Sequence, residues 1–217
     1  MESTVLFESV IYKEEIPEYL NLDKVCDKYI KKAREDKKNF LEEKRKEFKV
    51  DVGDHGISYH SPGDLYKESE FEDFELLVKS TAKNVLESQG FDMSNHMLKY
   101  TEMWVQEFAD KGGGHHDTHI HWDNHISGFY FLKCSSRTSK PIFHDPRPGR
   151  MMLNLPIKDP TKLCYAMERQ IVYVKPGSLV LFNSYLPHQF TVDDGVDPFR
   201  FIHFNMQATI TAKNGQE

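Results

Sequence analysis

Cysteine is scarce and poorly placed for any structural task. The three present, Cys26, Cys134 and Cys164, are odd in number, far apart and include no Cys-x-x-Cys pair. That suits neither a disulfide framework nor a thiolate metal site and predicts reduced thiols in a cytoplasmic setting. Long apolar runs are missing as well. No stretch approaches the roughly 18 residues a membrane span needs, and the opening Met1 to Val10 lacks a basic segment followed by an apolar run, so neither a span nor an export signal is expected. Nor is there an excess of positive charge: 28 Lys and Arg face 34 Asp and Glu, for a net charge of −6. No overall field draws a phosphate backbone or an anionic membrane. A nucleophile elbow and a phosphate-cradling glycine loop are likewise absent. What remains is a chain of 217 residues, 39% hydrophobic and 29% charged, the composition of one soluble domain able to bury about 70% of its extended surface.

Two helices are expected early. From Asp23 to Lys49 charged residues dominate, with sparse apolar positions at Val25, Tyr29, Ile30, Phe40, Leu41 and Phe48. Acids and bases interleave, so this reads as a long solvated helix rather than a nucleic-acid patch. Ser69 and Glu72 have capping-box spacing, Phe74, Leu77, Thr81, Val85 and Leu86 recur at helical intervals, and Gly90 supplies a stop, which predicts a second helix with one buried face. Beyond residue 96 the chain turns to short β-branched and aromatic segments divided by Gly, Pro, Asn and Asp. Strands are expected at 98–108, 118–122, 127–133, 141–144, 151–155, 170–174, 178–183, 188–192 and 199–210. Consecutive strands without intervening helices favour a barrel or jelly roll. The expected class is mainly β, with residues 1–95 a strand-and-helix lead-in packed on a barrel of residues 96–217.

Histidine is the residue type out of proportion. Five of the eleven, His115, His116, His119, His121 and His125, fall within eleven consecutive positions. In an extended strand alternate side chains share a face, so His119 and His121 can point together and grip one metal ion, with Asp117 and Asp123 on the same parity. Gly112 to Gly114 permits the bend that would bring such a strand to a barrel mouth. A third ligand must come from elsewhere, and His188 ends the segment launched by Pro176-Gly177. Three ligands on one face with other positions open are the arrangement of non-haem Fe(II) oxygenases. Spacing alone equally allows a surface cluster, a closed zinc site or a core histidine. Arg200 lies within the apolar run Phe199 to Asn205, where an inward guanidinium requires a partner. A ligand carboxylate would serve; so would an internal salt bridge or a solvent-facing pose.

Taken together these residues resemble the Fe(II)- and 2-oxoglutarate-dependent oxygenases, and more closely the prolyl-hydroxylase-like group of bacterial and marine-phage proteins. The likeness is carried by Trp104, Gly113, His119-Ile-His121, Ser127 to Leu132, Phe143 to Arg147, Pro176-Gly177 to His188, and Arg200 to Asn205. Weaker matches at Leu6 to Tyr12 and Gly56 to Ser61 extend it over nearly the whole chain. The resemblance implies a double-stranded β-helix (a jelly-roll, cupin-like barrel) holding Fe(II), with 2-oxoglutarate and O2 as co-substrates, ascorbate as an auxiliary reductant, and hydroxylation of a protein or small-molecule substrate, peptidyl proline included. It implies His119, His121 and His188 as metal ligands, Arg200 as the basic residue meeting the far carboxylate of 2-oxoglutarate, and Tyr130 as its helper or an ordinary core aromatic. The broad superfamily uses His-x-Asp or His-x-Glu. Here a three-histidine site is expected, with Asp123 of His121-Trp-Asp123 as the rival carboxylate ligand. Two other functions fit parts of the pattern. A cupin metalloprotein matches Gly113 to His121 but lacks the second cupin motif, and a non-catalytic jelly-roll or phage structural module needs no iron. Arg147 and Arg150 could meet an anionic group near the mouth or simply form a proline-rich turn.

Overall fold

The computed structural model describes residues 2–4, 6–49, 51, 53–147 and 155–211. In chain order these give β1 (Ile11–Glu15), α1 (Leu22–Phe48), β2 (Ser58–His60), α2 (Glu72–Ser88), β3 (His96–Phe108), β4 (His116–His119), β5 (Ile126–Lys133), β6 (Pro141–His144), β7 (Arg169–Ile171), β8 (Ser178–Asn183), β9 (His188–Phe190) and β10 (Arg200–Ile210). The strands form two antiparallel sheets, a large one ordered β1-β8-β5-β10-β3-β2 and a small one ordered β4-β9-β6-β7. The mainly β expectation holds. The opening strand comes later than expected, at Ile11 rather than Leu6, and the expected strand at 151–155 lies, apart from Leu155, outside the described residues.

The two-residue period of the large sheet sorts its side chains between two cores. Phe129 and Phe131 of β5, Val180 and Phe182 of β8, and Phe201 of β10 point toward the small sheet, where they meet Phe143 and Phe190. Their neighbours Tyr130, Leu132, Leu179, Leu181, Ile202 and Phe204 point the other way, onto Cys26 and Ile30 of α1 and Phe74 and Val78 of α2. The molecule is thus three layers, helices on a large sheet and a small sheet closing the barrel. In β3 a bulge at Thr101, where Asn205 pairs with Glu102 and Met206 with Tyr100, switches the parity. Leu98 and Tyr100 face the helices before it, Met103 and Val105 after it. Gly128 is required where β5 passes β10, because an added Cβ would stand 2.5 Å from the Phe204 ring and 2.6 Å from the Val180 carbonyl.

The capping box at Ser69 and Glu72 does not form. Ser69–Phe71 is a single 3-10 turn and α2 begins at Glu72 without a side-chain cap. Phe71, fully buried and packed on Tyr29, fixes that entry instead, while Glu72, Asp73 and Glu75 sit favourably at the positive end of the helix dipole. Gly90 does end the helix, at φ +91°.

Candidate metal centre

The histidine-rich segment enters through Gly113, whose φ of +82° and contact with His55, 2.6 Å from a would-be Cβ, admit no side chain. β4 then pairs with β9, setting His119 directly opposite His188, with a register irregularity between His116 and His119. That bulge turns both rings to the barrel side, where His116 meets Phe108 at a tilt and Phe190 edge-on while His119 packs on His188, ring centroids 4.5 Å apart. His121 follows, anchored by its N–H to the Ser184 carbonyl. Its ring centroid lies 5.1 Å from His119 and 5.0 Å from His188. One ring nitrogen from each of His119, His121 and His188 falls within 4.8 Å of the others.

Each ring is held from behind. His119 Nδ1 lies 2.7 Å from the Asp117 carbonyl oxygen and His188 Nδ1 lies 2.9 Å from that of Leu186. A backbone carbonyl accepts only from N–H, so both rings carry their proton on Nδ1 and present a bare Nε2. His121 Nε2 stands 3.2 Å from His188 Nε2, and its Nδ1 is 3.3 Å from the Asn205 amide. That amide is fixed by Ser127 Oγ at 2.6 Å and Glu102 at 3.0 Å, and Ser127 in turn by Ser184 at 2.7 Å. Burial depresses the imidazoles, His188 to about 3 and His121 to about 4, and the neighbouring histidines push the same way. At neutral pH their lone pairs are therefore free for a metal. Phe129, Phe143 and Phe182 surround His188, the last at 4.6 Å between centroids. Three neutral nitrogen donors on one side, backed by fixed partners, fit a ferrous ion with its remaining positions open.

No carboxylate joins this group among the described residues. Asp123, the rival ligand, sits on an exposed turn at φ +59°, and the Asp117 side chain is 97% exposed. Asn183 pairs with Gln89, Trp122 is 80% exposed, Arg147 forks onto Asp145, and Arg150 lies outside the described residues.

Arg200 and Tyr130 are not at the centre. Arg200 shares its parity with Ile202 and Phe204 and so projects through the helix face of the large sheet. There it donates to Glu107 at 2.6 Å, Asp27 at 2.7 Å and Asp23 at 2.8 Å, leaving the guanidinium 4% exposed in an ion-pair network that Arg34 joins through Glu107. Tyr130, also on the helix side, donates to the Ile16 carbonyl at 2.8 Å and packs on Phe74. One residue of parity separates both from the barrel interior.

The residues that do face inward from β10 are Phe201, His203 and Asn205. Spacing does not single out His203, yet its ring lies 4.7 Å from His121, 4.3 Å from Trp104 and 5.1 Å from Phe129. It is 2% exposed, and burial holds its pKa well below the ordinary histidine value. The signal that could have found it is its even spacing from Phe201 and Asn205 within one strand.

Residues 102–205 match the model of a family described as "Putative 2OG-Fe(II) oxygenase". No curated protein sequence matches. Among solved structures, a prolyl-4-hydroxylase from Pseudomonas putida superposes with a TM-score of 0.53 at 10% identity, covering 92% of this chain and 93% of that one. AviO1 from Streptomyces viridochromogenes Tue57 superposes with the same TM-score at 12% identity, covering 92% of this chain and 90% of its own. At such identities the two superpositions speak for the fold, and the matched segment runs from the bulge of β3 to Asn205, taking in all three histidines. Over residues 102–205 the chain is thus similar in sequence to the 2OG-Fe(II) oxygenases, and over most of its length it shares the fold of these two solved structures.

Proposed function

We propose that the chain is an Fe(II)- and 2-oxoglutarate-dependent hydroxylase acting on a protein or peptide side chain, with prolyl residues the first class to test. The observation that carries this reading is the convergence of three imidazole nitrogens, two with their tautomer fixed by a backbone carbonyl, inside a barrel whose sequence matches the family. When bound, Fe(II) with 2-oxoglutarate and O2 supplies the oxidising chemistry, coupling decarboxylation of the keto acid to insertion of oxygen into a C–H bond.

The protein's own contribution is position and dryness. His119, His121 and His188 hold the ion; the Asp117 and Leu186 carbonyls and Asn205 keep the rings oriented. Phe129, Phe143 and Phe182 keep water from His188. A surface cavity of about 540 Å³, lined by Glu102, Trp122, Asp123 and Asn124, reaches His121 from solvent. It is the substrate's route, and the exposed Trp122 ring beside it offers a flat apolar face against which a prolyl ring can pack. The Pseudomonas putida protein of the same fold is a prolyl-4-hydroxylase, which favours proline over other side chains.

Purified protein given Fe(II), ascorbate, 2-oxoglutarate and a peptide panel is expected to form succinate in an iron-dependent way and to add one oxygen atom to a proline-containing peptide. Tight zinc binding with no iron-dependent succinate under any condition would instead favour a closed structural site or a non-catalytic module.

A further inference from the structure

A buried patch of unpartnered polar atoms lies on the inner wall of the barrel. Among the described residues, His203 Nδ1 and Nε2, Trp104 Nε1 and Gln106 Oε1 are all buried without a hydrogen-bond partner. They belong to one place. His203 is the register partner of Trp104 across β10 and β3, and Gln106 is opposite Phe201 one pleat along the same face. The patch adjoins the metal group at one end, where His203 lies against His121, and at the other Gln106 Nε2 stands 2.5 Å from Nε2 of His116, whose ring is 5.8 Å from that of His119. Leaving one buried polar atom unpaired costs about 1–3 kcal/mol, so several together mark a surface built for something that binds there.

We propose that this wall, and not Arg200, receives the far carboxylate of the keto-acid co-substrate. The inference rests on the oxygenase reading above. Trp104 Nε1–H and one N–H of the His203 ring are the donors, and the Gln106 amide offers another. Turned end for end, that amide keeps its contacts with Ser58 and His116, which then donate, and presents Nε2 to the patch. Arg200 cannot compete, because its guanidinium is spent on Glu107, Asp23 and Asp27 behind the sheet.

Charge explains why neutral donors suffice. In a site with a carboxylate ligand and a guanidinium anchor, those two charges cancel. Among the described residues neither stands at the metal group, so a ferrous dication held by three neutral imidazoles still balances a keto-acid dianion. The missing carboxylate and the missing cation are one departure: restoring either alone would upset the balance. Donors aimed at the carboxylate then fix its position rather than its charge.

The test is an anaerobic titration of the Fe(II)-loaded protein with 2-oxoglutarate, followed by the visible charge-transfer band of the chelate, with iron affinity measured in parallel. Trp104→Phe and His203→Phe are expected to weaken 2-oxoglutarate binding about 10- to 100-fold, the range for a hydrogen bond to a charged group, with iron affinity unchanged. Arg200→Lys is expected to leave it within about threefold. Trp104→Phe keeps an aromatic side chain on the wall while removing the N–H, at the cost of some volume, and iron affinity measured in parallel reports whether the barrel is intact, so it decides the matter even if the His203 variant does not fold. Wild-type affinity in Trp104→Phe, or a loss confined to Arg200→Lys, overturns the proposal while leaving the oxygenase reading intact. Wild-type protein that binds iron but no 2-oxoglutarate overturns the oxygenase reading itself.

Discussion

Each of the three converging histidines has a partner behind it, and this makes their individual roles testable. Replacing His188 by Ala removes a buried imidazole whose Nδ1 is tied to the Leu186 carbonyl. Fe(II) affinity by equilibrium dialysis is expected to fall by more than the roughly 10- to 100-fold typical of losing a mere supporting partner. Tyr130→Phe should behave oppositely. It loses one hydrogen bond to the Ile16 carbonyl, about 0.5–1.5 kcal/mol of stability in a urea melt, and leaves succinate formation unchanged. The sequence made His119, His121 and His188 legible because alternate positions on a strand and a strand-opening histidine are local patterns. His203 stayed hidden because a single histidine in an apolar strand carries no pattern of its own; only the fold shows that its ring touches His121.

Among the elements, β10 decides the most. Its odd positions line the barrel and its even positions serve the helices, so Arg200 works as a brace between the sheet and α1. Substituting Met there leaves Glu107, itself 9% exposed in its side chain, with Arg34 as its remaining cation and Asp23 and Asp27 without their arginine. Breaking a buried pair from one side costs about 3–5 kcal/mol when the remaining charge has no other partner; with Arg34 still on Glu107 and Lys133 on Asp23 the loss should be smaller and appear as a lower denaturant midpoint with iron affinity retained. Gly128→Ala on β5 meets the Phe204 ring and the Val180 carbonyl. Overpacking of this kind costs about 1–3 kcal/mol, again as lost stability, and a gain would show that the strands part more readily than their packing implies. The helices were legible from charge and periodicity, but the start of α2 was not. The S-x-x-E spacing is present, yet burying Phe71 outweighs a cap worth about 1 kcal/mol.

On the scale of the whole molecule, neutral histidines gathered in one barrel couple its stability to pH. Burial lowers His116 and His188 to about 3 and His121 to about 4, and holds His203 well below its ordinary value. The unfolded imidazoles take up protons near pH 6.5, whereas the folded ones resist until the pH nears 4. Stability is therefore full above pH 6.5 and declines as the pH falls from there toward 4, each such histidine contributing at most about 1.4 kcal/mol per pH unit. Thermal melts of metal-free protein between pH 7 and 4.5 check this, and a flat midpoint over that range would contradict it. Among the described residues no helix is long and apolar enough to cross a membrane, in keeping with the composition.

The sequence by itself determined the inventory: a mainly β chain with helices at its start, a concentration of imidazoles on one strand, a distant histidine at the head of another, and the order of motifs that resembles the oxygenases. These are short-range patterns, written by the two-residue period of strands and by composition. Only the tertiary structure decided which side of each strand faces the metal. Alternation makes two residues share a face or oppose each other, but the choice between barrel and helices depends on bulges at Thr101 and between His116 and His119 and on what each sheet must cover. For that reason Arg200 and Tyr130, adjacent in sequence to inward-facing residues, stand behind the wall, while His203 and Trp104 stand before it.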